Sequence, residues 1–371
     1  MVEIYIKKVE RNSPMNIWHV YARYYNFGDY ALGVGVRNLF LKYYNSEILF
    51  KLEDVHSLVF DENTVDRLNS SADMLLVGGG GLIHGFAGDK WMLKIPDKLI
   101  PKIRVPLIIY GVGYNQFRGE GNIHPRIVEN IRRLQERCLS FSVRNDGSRE
   151  EMLKLGVDLP EVPDPGFFVD GDYARPPIEG DFVIIQLAND MKHARGFDDV
   201  SLLSHLSEIS RYLLGKGYKI VLCPHVRTDD ILGRQLIANM GNPDGLTSWE
   251  WFDIIRDECT LKGLAYYKHA KMVIGMRGHA QICPAGMLTP VITLGNHRKH
   301  LDLIKKQNLP DHYVEVSDPQ LSNKVIMMFN DILANYQSIK GSYGNSLAHL
   351  LETSSVFIRN LAEISGKNDL P

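Results

Sequence analysis

The segment AKMVIGMRGHAQICPAGMLTPVITLGNHRK, residues 270–299, holds in one line the alternation that decides the fold. Two apolar runs, AKMVIGMR (270–277) and TPVITLG (289–295), flank a helix of small residues. Short runs with no polar face read as strands buried on both sides, and strand, helix, strand is the crossover unit of parallel sheets. Proline is tolerated in a helix's first turn, so Pro284 predicts a helix that begins no earlier than about Gln281 and leaves His279 in the loop. In an extended segment residues two apart point the same way, which would aim Arg277 and His279 at one object across Gly278.

The same pattern recurs on both sides of this segment. NIWHVYA (16–22), DMLLVGG (73–79), VPLIIYGVG (105–113) and LSFSVR (139–144) read as strands in the first half, DFVIIQLA (181–188) and YKIVLCPH (218–225) in the second. Between them lie amphipathic stretches such as PRIVENIRRLQERCL and LLSHLSEISRYLLGKG. The segment DGDYARPPIEGD (170–181), rich in proline, glycine and charge, reads as a linker. The expected architecture is α/β, two Rossmann-like doubly wound domains facing across a cleft. They span 1–175 and 176–330, and a helical segment, 331–371, packs back on them. Ligands in such sheets sit beyond the carboxyl ends of the strands.

Composition narrows the partners. Of 371 residues 44% are hydrophobic, and 42 basic against 44 acidic residues leave a net charge of −2. No global field draws the chain to nucleic acid, so any anion is met locally. Cys138, Cys223, Cys259 and Cys283 are scattered without a C-x-x-C pair, which suits a reducing compartment and buried thiols. No apolar run reaches the roughly 18 residues of a membrane span and none at the N-terminus resembles a leader. The expectation is a cytoplasmic protein, free or docked at the inner face of a membrane.

Candidate site residues lie where strands end. In YNFGDYALG, Asn26, Gly28 and Asp29 open a helix, either as an anion or sugar-hydroxyl site or as a tight turn with Asp29 as N-cap. In LLVGGGGLIHG, consecutive glycines that include Gly79 and Gly80 imply that something approaches the backbone closely, with His84 either facing a ligand or lying on the surface. The loop lacks the lysine of a phosphate-binding P-loop and the spacing of a dinucleotide fingerprint. Arg144 ends a strand, followed by Ser148 and Glu151 at capping-box spacing, and either faces the cleft or pairs with Asp146 or Asp164. Asp164, between two prolines, either orients that arginine or serves a turn. His225 and Lys299 end further strands. So many cationic strand ends predict a locally basic cleft.

Taken together, NFGDYALG, DMLLVGGGGLIHG, SVRNDGSREEMLKLGV, EVPDPGFFV, HVRTDD and the opening segment resemble the polysaccharide pyruvyl transferase family, collinearly from about residue 20 to 305. The resemblance implies a fold similar to GT-B glycosyltransferases and transfer of pyruvate from phosphoenolpyruvate to two sugar hydroxyls as a cyclic ketal, in cell-surface or exopolysaccharide biosynthesis. It implies that Arg144, in an S-x-R motif with Ser142, and Arg277 with His279, in an R-x-H motif, bind phosphoenolpyruvate. Gly278 stands where the family usually has leucine, and GVGYNQF departs from its usual turn. Lys299 is expected beside the donor, and Asn26, Gly28, Asp29, Gly79, Gly80, His84, Asp164 and His225 on the acceptor side or cleft. Histidine titrates in the working range, which makes His279 the expected acid toward the methylene carbon or departing phosphate. The scheme needs no metal and no cofactor besides phosphoenolpyruvate as co-substrate. A GT-B glycosyltransferase using a nucleotide sugar is the alternative.

Overall fold

The computed structural model describes residues 13–367 apart from 24–25, 45–46, 88–89, 94, 117–122, 173–174, 177, 191, 250–256 and 307. The residues read for a leader up to 12, the middle of the linker, Phe117 of GVGYNQF and the side chain of Cys259 lie outside the described residues.

Strands that are apolar on both faces form the centres of two sheets. The first contains β1 (Met15–Tyr21), β2 (Ile48–Asp54), β3 (Met74–Gly78), β6 (Leu107–Val112), β7 (Ser140–Arg144) and β8 (Glu161–Val162), in the order β2-β1-β3-β6-β7-β8; β4 (Gly85–Ala87) and β5 (Lys90–Trp91) form a small antiparallel hairpin beside it. The second contains β9 (Phe182–Gln186), β10 (Lys219–Leu222), β11 (Leu246–Ser248), β12 (Met272–Gly275), β13 (Val291–Gly295) and β14 (Tyr313–Glu315), in the order β11-β10-β9-β12-β13-β14. Neighbouring strands in both are parallel. Every residue of β3, β9 and β12 is buried. The runs read from the sequence are the inner strands; β2, β8, β11 and β14, which were not, are the edges. An edge strand is shielded less and need not be uniformly apolar: in β2, ILFKLED, only Ile48 and Asp54 are buried.

Helices cover both sheets: α1 (Phe27–Tyr43), α2 (Glu62–Ser71), α3 (Pro125–Arg137) and α4 (Ser148–Lys154) in the first lobe, then α5 (Lys192–Arg195), α6 (Asp199–Gly215), α7 (Arg227–Asn239), α8 (Asp257–His269), α9 (His279–Gly286), α10 (Arg298–Lys306) and α11 (Leu321–Ala334) in the second. Chain order reverses between β1 and β3 in one sheet and between β9 and β12 in the other, and crevices for ligands open at such points.

Two local readings are corrected. α9 begins at His279, because Gly278 already has helical backbone angles (φ −54°, ψ −43°) and the Ala280 N–H bonds to the Arg277 carbonyl at 3.0 Å. Pro284 therefore lies inside the helix. Its missing N–H forfeits one bond, to the Ala280 carbonyl, in a helix of only 8 residues. The segment from Arg277 to His279 is thus not extended.

The last helix, α12 (Tyr336–Lys367), lies on both lobes. Near its start the Tyr336 hydroxyl donates to the Lys271 carbonyl at 3.2 Å and the Tyr343 hydroxyl accepts the Val291 N–H at 3.1 Å. Towards its end Phe357 packs 5.8 Å from the Tyr110 ring, Arg359 covers Tyr43 at 5.3 Å, and the Ser365 and Tyr44 hydroxyls are hydrogen-bonded. Among the described residues no helix is long and apolar enough to cross a membrane.

Gly341 and Gly344 lie inside α12, and a methyl group added at either meets nothing within 4 Å. Glycine in a helix interior costs about 1 kcal/mol relative to alanine. Gly341→Ala and Gly344→Ala should each raise the urea midpoint, by a stability gain of about 0.5–1 kcal/mol; a loss in either variant would show that the added methyl is not accommodated there.

Candidate active site

The first turn of α1 forms one wall of the cleft. Asn26, not Asp29, is its N-cap: the Asn26 Oδ1 accepts the Gly28 N–H at 2.9 Å, and Asp29 lies in the first turn. A Cβ on Gly28 would sit 2.1 Å from His279 Nδ1, so the glycine is the seat on which the imidazole of the other lobe rests. Beside it the Phe27 N–H donates to the His225 carbonyl at 2.9 Å, joining the lobes through backbone.

His225 itself is turned inward. Its Nε2 is hydrogen-bonded to the Tyr267 hydroxyl at 2.6 Å and its ring packs 4.9 Å from Phe27. It belongs to the interface core rather than to the cavity wall. The glycine loop after β3 shows a similar displacement. Gly79 and Gly80 have φ of +75° and +99°, where glycine is favoured, and a Cβ on Gly79 would lie 2.9 Å from the Leu32 side chain. What approaches that backbone is the protein's own α1. Gly81, Leu82, His84 and Gly85, farther along, reach the cavity.

The cavity between the lobes, about 520 Å³, lies at both chain reversals. Asn26, Asp29, Arg144, Arg277, His279 and Lys299 all line it, together with Asp190 and Arg195. Arg144 rises from the end of β7, held by Asp146 (Nε to Oδ2, 2.6 Å) and Asp164 (Nη1 to Oδ2, 3.2 Å). Both pairings considered from the sequence are therefore made, while the guanidinium still faces the cavity. Asp164 is fully buried behind it, and its Oδ1 accepts the Gly166 N–H. Ser142 points away, accepting the Gly111 N–H at 3.1 Å. Ser148 does not cap α4, whose N-cap is Gly147; its hydroxyl bonds to Asp146 and accepts the Tyr114 N–H at 2.8 Å.

Arg277 enters from the second sheet. Nε and Nη2 donate to Asp229 at 2.8 and 2.7 Å, and Nη2 also reaches Asp190 at 2.6 Å. Asp190 in turn holds Arg195 at 3.0 Å, and Arg195 donates to Asn296 at 2.8 Å. Lys299, in the first turn of α10, donates to the Asn115 Oδ1 of the first lobe at 3.0 Å. The cleft is therefore less basic than its cations suggest, because each arginine arrives with carboxylates that fix its direction and cancel much of its field. Arg144 Nη1 lies 3.4 Å from His279 Nε2; arginine only donates, so Nε2 is the acceptor.

Burial and these neighbours set the protonation states. Burial, then the positive charges of Arg144 and Lys299, holds His279 well below its ordinary pKa and keeps it neutral. Burial, with Arg144 next, pulls Lys299 down to about 8. Burial raises Asp29 against the pull of Arg144 and Lys299, and pushes Asp164 up to about 6. Burial opposes the charge of Arg144 and Arg277, but their carboxylate partners outweigh it and both stay protonated.

Asp190, Arg195 and Asn115 were not anticipated. Asp190 lies just past QLAN at the end of β9, the strand beside β12, so the reversal of strand order is the signal that would have found it. Arg195 ends the one-turn helix α5 and Asn115 lies in the loop after β6, short segments whose sequence carries no pattern of its own.

A model of the family described as polysaccharide pyruvyl transferase matches residues 16–298. No curated protein matches the chain. Among solved structures, UDP-GlcNAc 2-epimerase from Neisseria meningitidis bound to UDP-GlcNAc is similar with a TM-score of 0.56 at 11% identity, covering 94% of this chain and 100% of that one. UDP-GlcNAc 2-epimerase from Methanocaldococcus jannaschii gives 0.57 at 13%, covering 94% and 99%. At these identities the likeness shows the fold, the GT-B arrangement of two Rossmann-like lobes.

Two outcomes follow from the packing and charge of the cavity. Gly28→Ala should destabilise the chain by about 1–3 kcal/mol through overpacking, and in a double-mutant cycle most of that cost should vanish in a His279→Ala background; an equal cost in both backgrounds would separate the two residues. Lys299 is half-titrated at about 8 when folded against an ordinary value of 10.5, so the unfolded chain holds more protons between those values. Its penalty is full below pH 8 and fades as pH rises to 10.5. Lys299→Met should therefore stabilise the chain by about 2 kcal/mol at pH 7, by denaturant titration, with the advantage shrinking toward pH 10.

Proposed function

The chain belongs to the polysaccharide pyruvyl transferase family, and we propose that it transfers pyruvate from phosphoenolpyruvate to two hydroxyls of one saccharide unit. The product is a cyclic ketal of a cell-surface polysaccharide, and phosphate is released. The observation that carries the reading is the convergence of Arg144, Arg277, Lys299 and His279 from both lobes on one cavity.

Phosphoenolpyruvate carries a carboxylate and a phosphate, close to three negative charges near neutrality. Planar guanidinium groups match either anion with paired hydrogen bonds, and here Arg144 and Arg277 are already oriented by aspartates, so little ordering remains when the ligand arrives. Lys299, whose ammonium donates to the neutral amide of Asn115 and forms no carboxylate ion pair among the described residues, is left to meet the ligand's charge. The donor fits between them, with its C2 near His279.

His279 is neutral beside the Arg144 guanidinium, and the negative charge of bound phosphoenolpyruvate would raise its pKa, so its first role on this reading is as a base toward the attacking sugar hydroxyl. The proton it takes then serves the departing phosphate. That reverses the order of roles expected from the sequence, where burial next to cations could not be read. The acceptor approaches along the first-lobe wall formed by His84, Asn26 and Asp29.

Incubation with phosphoenolpyruvate and the correct glycan should release phosphate and produce a new ketal methyl signal by NMR. Phosphoenolpyruvate binding near pH 8 should take up protons in calorimetry, since the ligand's charge raises the pKa of Lys299. Arg144→Lys keeps the charge but loses the planar fork and should weaken that binding by about 30-fold or more. Protection against thermal unfolding by UDP or GDP, with none from phosphoenolpyruvate, would instead favour glycosyl transfer from a nucleotide sugar.

A further inference from the structure

Three aspartates line the cavity, Asp29, Asp146 and Asp190, and they are not equivalent. Asp146 is occupied by Arg144, and Asp190 by Arg277 and Arg195. Behind the wall, Asp164 and Asp229 are likewise committed to Arg144 and Arg277. The carboxyl of Asp29 has no ion pair or hydrogen bond among the described residues. Its location is equally distinctive. Asp29 follows Gly28, on which the His279 ring rests, and its Oδ1 lies 3.5 Å from where a Cβ on Gly80 would stand, so Gly80 leaves the space the carboxyl occupies.

We infer that Asp29 is the acid that delivers a proton to the methylene carbon of phosphoenolpyruvate, working as the partner of His279. The inference rests on the pyruvyl-transfer reading and assigns a catalytic residue within it. An arginine-paired aspartate spends its lone pairs on holding a cation, whereas an unpaired, half-buried carboxyl in a cleft favours its neutral form more than one in open water and carries a proton to give. Arg144, Lys299, His56 and Arg277 oppose that protonation. A bound phosphoenolpyruvate would offset them with its own negative charge, so the donor loads the acid that attacks it.

The proton account closes. The Asp29 O–H breaks as the C2=C3 π pair forms the new C3–H bond, leaving C2 electron-deficient. The first sugar hydroxyl bonds to C2 and its proton passes to His279. Phosphate leaves with the electron pair of its C2–O bond, receiving the proton from His279. The second hydroxyl closes the ring on C2 and its proton returns to Asp29. Both groups end as they began, and no further reactant is consumed.

The test uses the full chain with Asp29→Asn and Asp29→Glu. Asp29→Asn should lower kcat by about 10²–10⁴-fold, while calorimetric affinity for phosphoenolpyruvate stays the same or tightens, because a negative charge has been removed from the pocket. Asp29→Glu should recover part of kcat. The wild-type kcat should fall on the alkaline side, and Asp29→Asn should lose that limb even though Arg144 from β7, Arg277 after β12, His279 of α9, Lys299 of α10 and His56 after β2 still face the position. A kcat within about threefold of wild type in Asp29→Asn overturns the assignment and leaves the pyruvyl-transfer reading standing. Loss of phosphoenolpyruvate affinity in parallel with kcat also overturns it, by making Asp29 a residue of binding. A wild-type chain that makes no ketal from any saccharide sinks both.

Discussion

The cleft depends on how closely two backbones approach at the first turn of α1. The Phe27 N–H bonds directly to the His225 carbonyl, and the neighbouring Gly28 receives the imidazole of His279 against its Cα. Any side chain at that position would hold the lobes apart. Because they are not held apart, Arg144 of the first lobe comes within 3.4 Å of His279 of the second, and Lys299 reaches Asn115. The cavity is a product of that contact and belongs to neither lobe.

Concentrating cations in such a space is costly, and the solution is visible in the pairing. Removing a guanidinium from water costs several kcal/mol unless carboxylates and hydrogen bonds replace the solvent. Asp146 and Asp164 do so for Arg144, Asp229 and Asp190 for Arg277. The aspartates also fix each guanidinium plane before a ligand arrives, which trades field strength for direction. Lys299 is left outside this scheme, and burial, with the charge of Arg144 next, pulls its pKa down to about 8.

The inner strands were legible because burial on both faces forces unbroken apolar runs such as MLLVG and FVIIQ. The edge strands were not, since a half-shielded strand like ILFKLED has no such obligation. Arg144, Arg277, His279 and Lys299 could be placed at strand ends and the structure gathers them at one cavity, while Asp164 and His225 lie behind its wall, and Gly79 and Gly80 shape it without lining it. A sequence position says which end of a strand a residue occupies; it does not say whether a glycine yields space to a ligand or to a helix of the same chain. The start of α9 failed for a related reason. The proline rule assumes that a lost hydrogen bond is decisive, and in so short a helix it is not.

The long helix α12 gives the molecule a mechanical character. Besides the contacts across the cleft, the lobes are joined by the chain between Val169 and Asp181 and by this long helix, whose foot is pinned at Tyr336 and Tyr343 and whose far end is pinned at Phe357, Arg359 and Ser365. The same helix packs on α1 and on α9, the two elements whose first turns meet at Gly28 and His279, so the last helix braces from behind the contact on which the cavity depends.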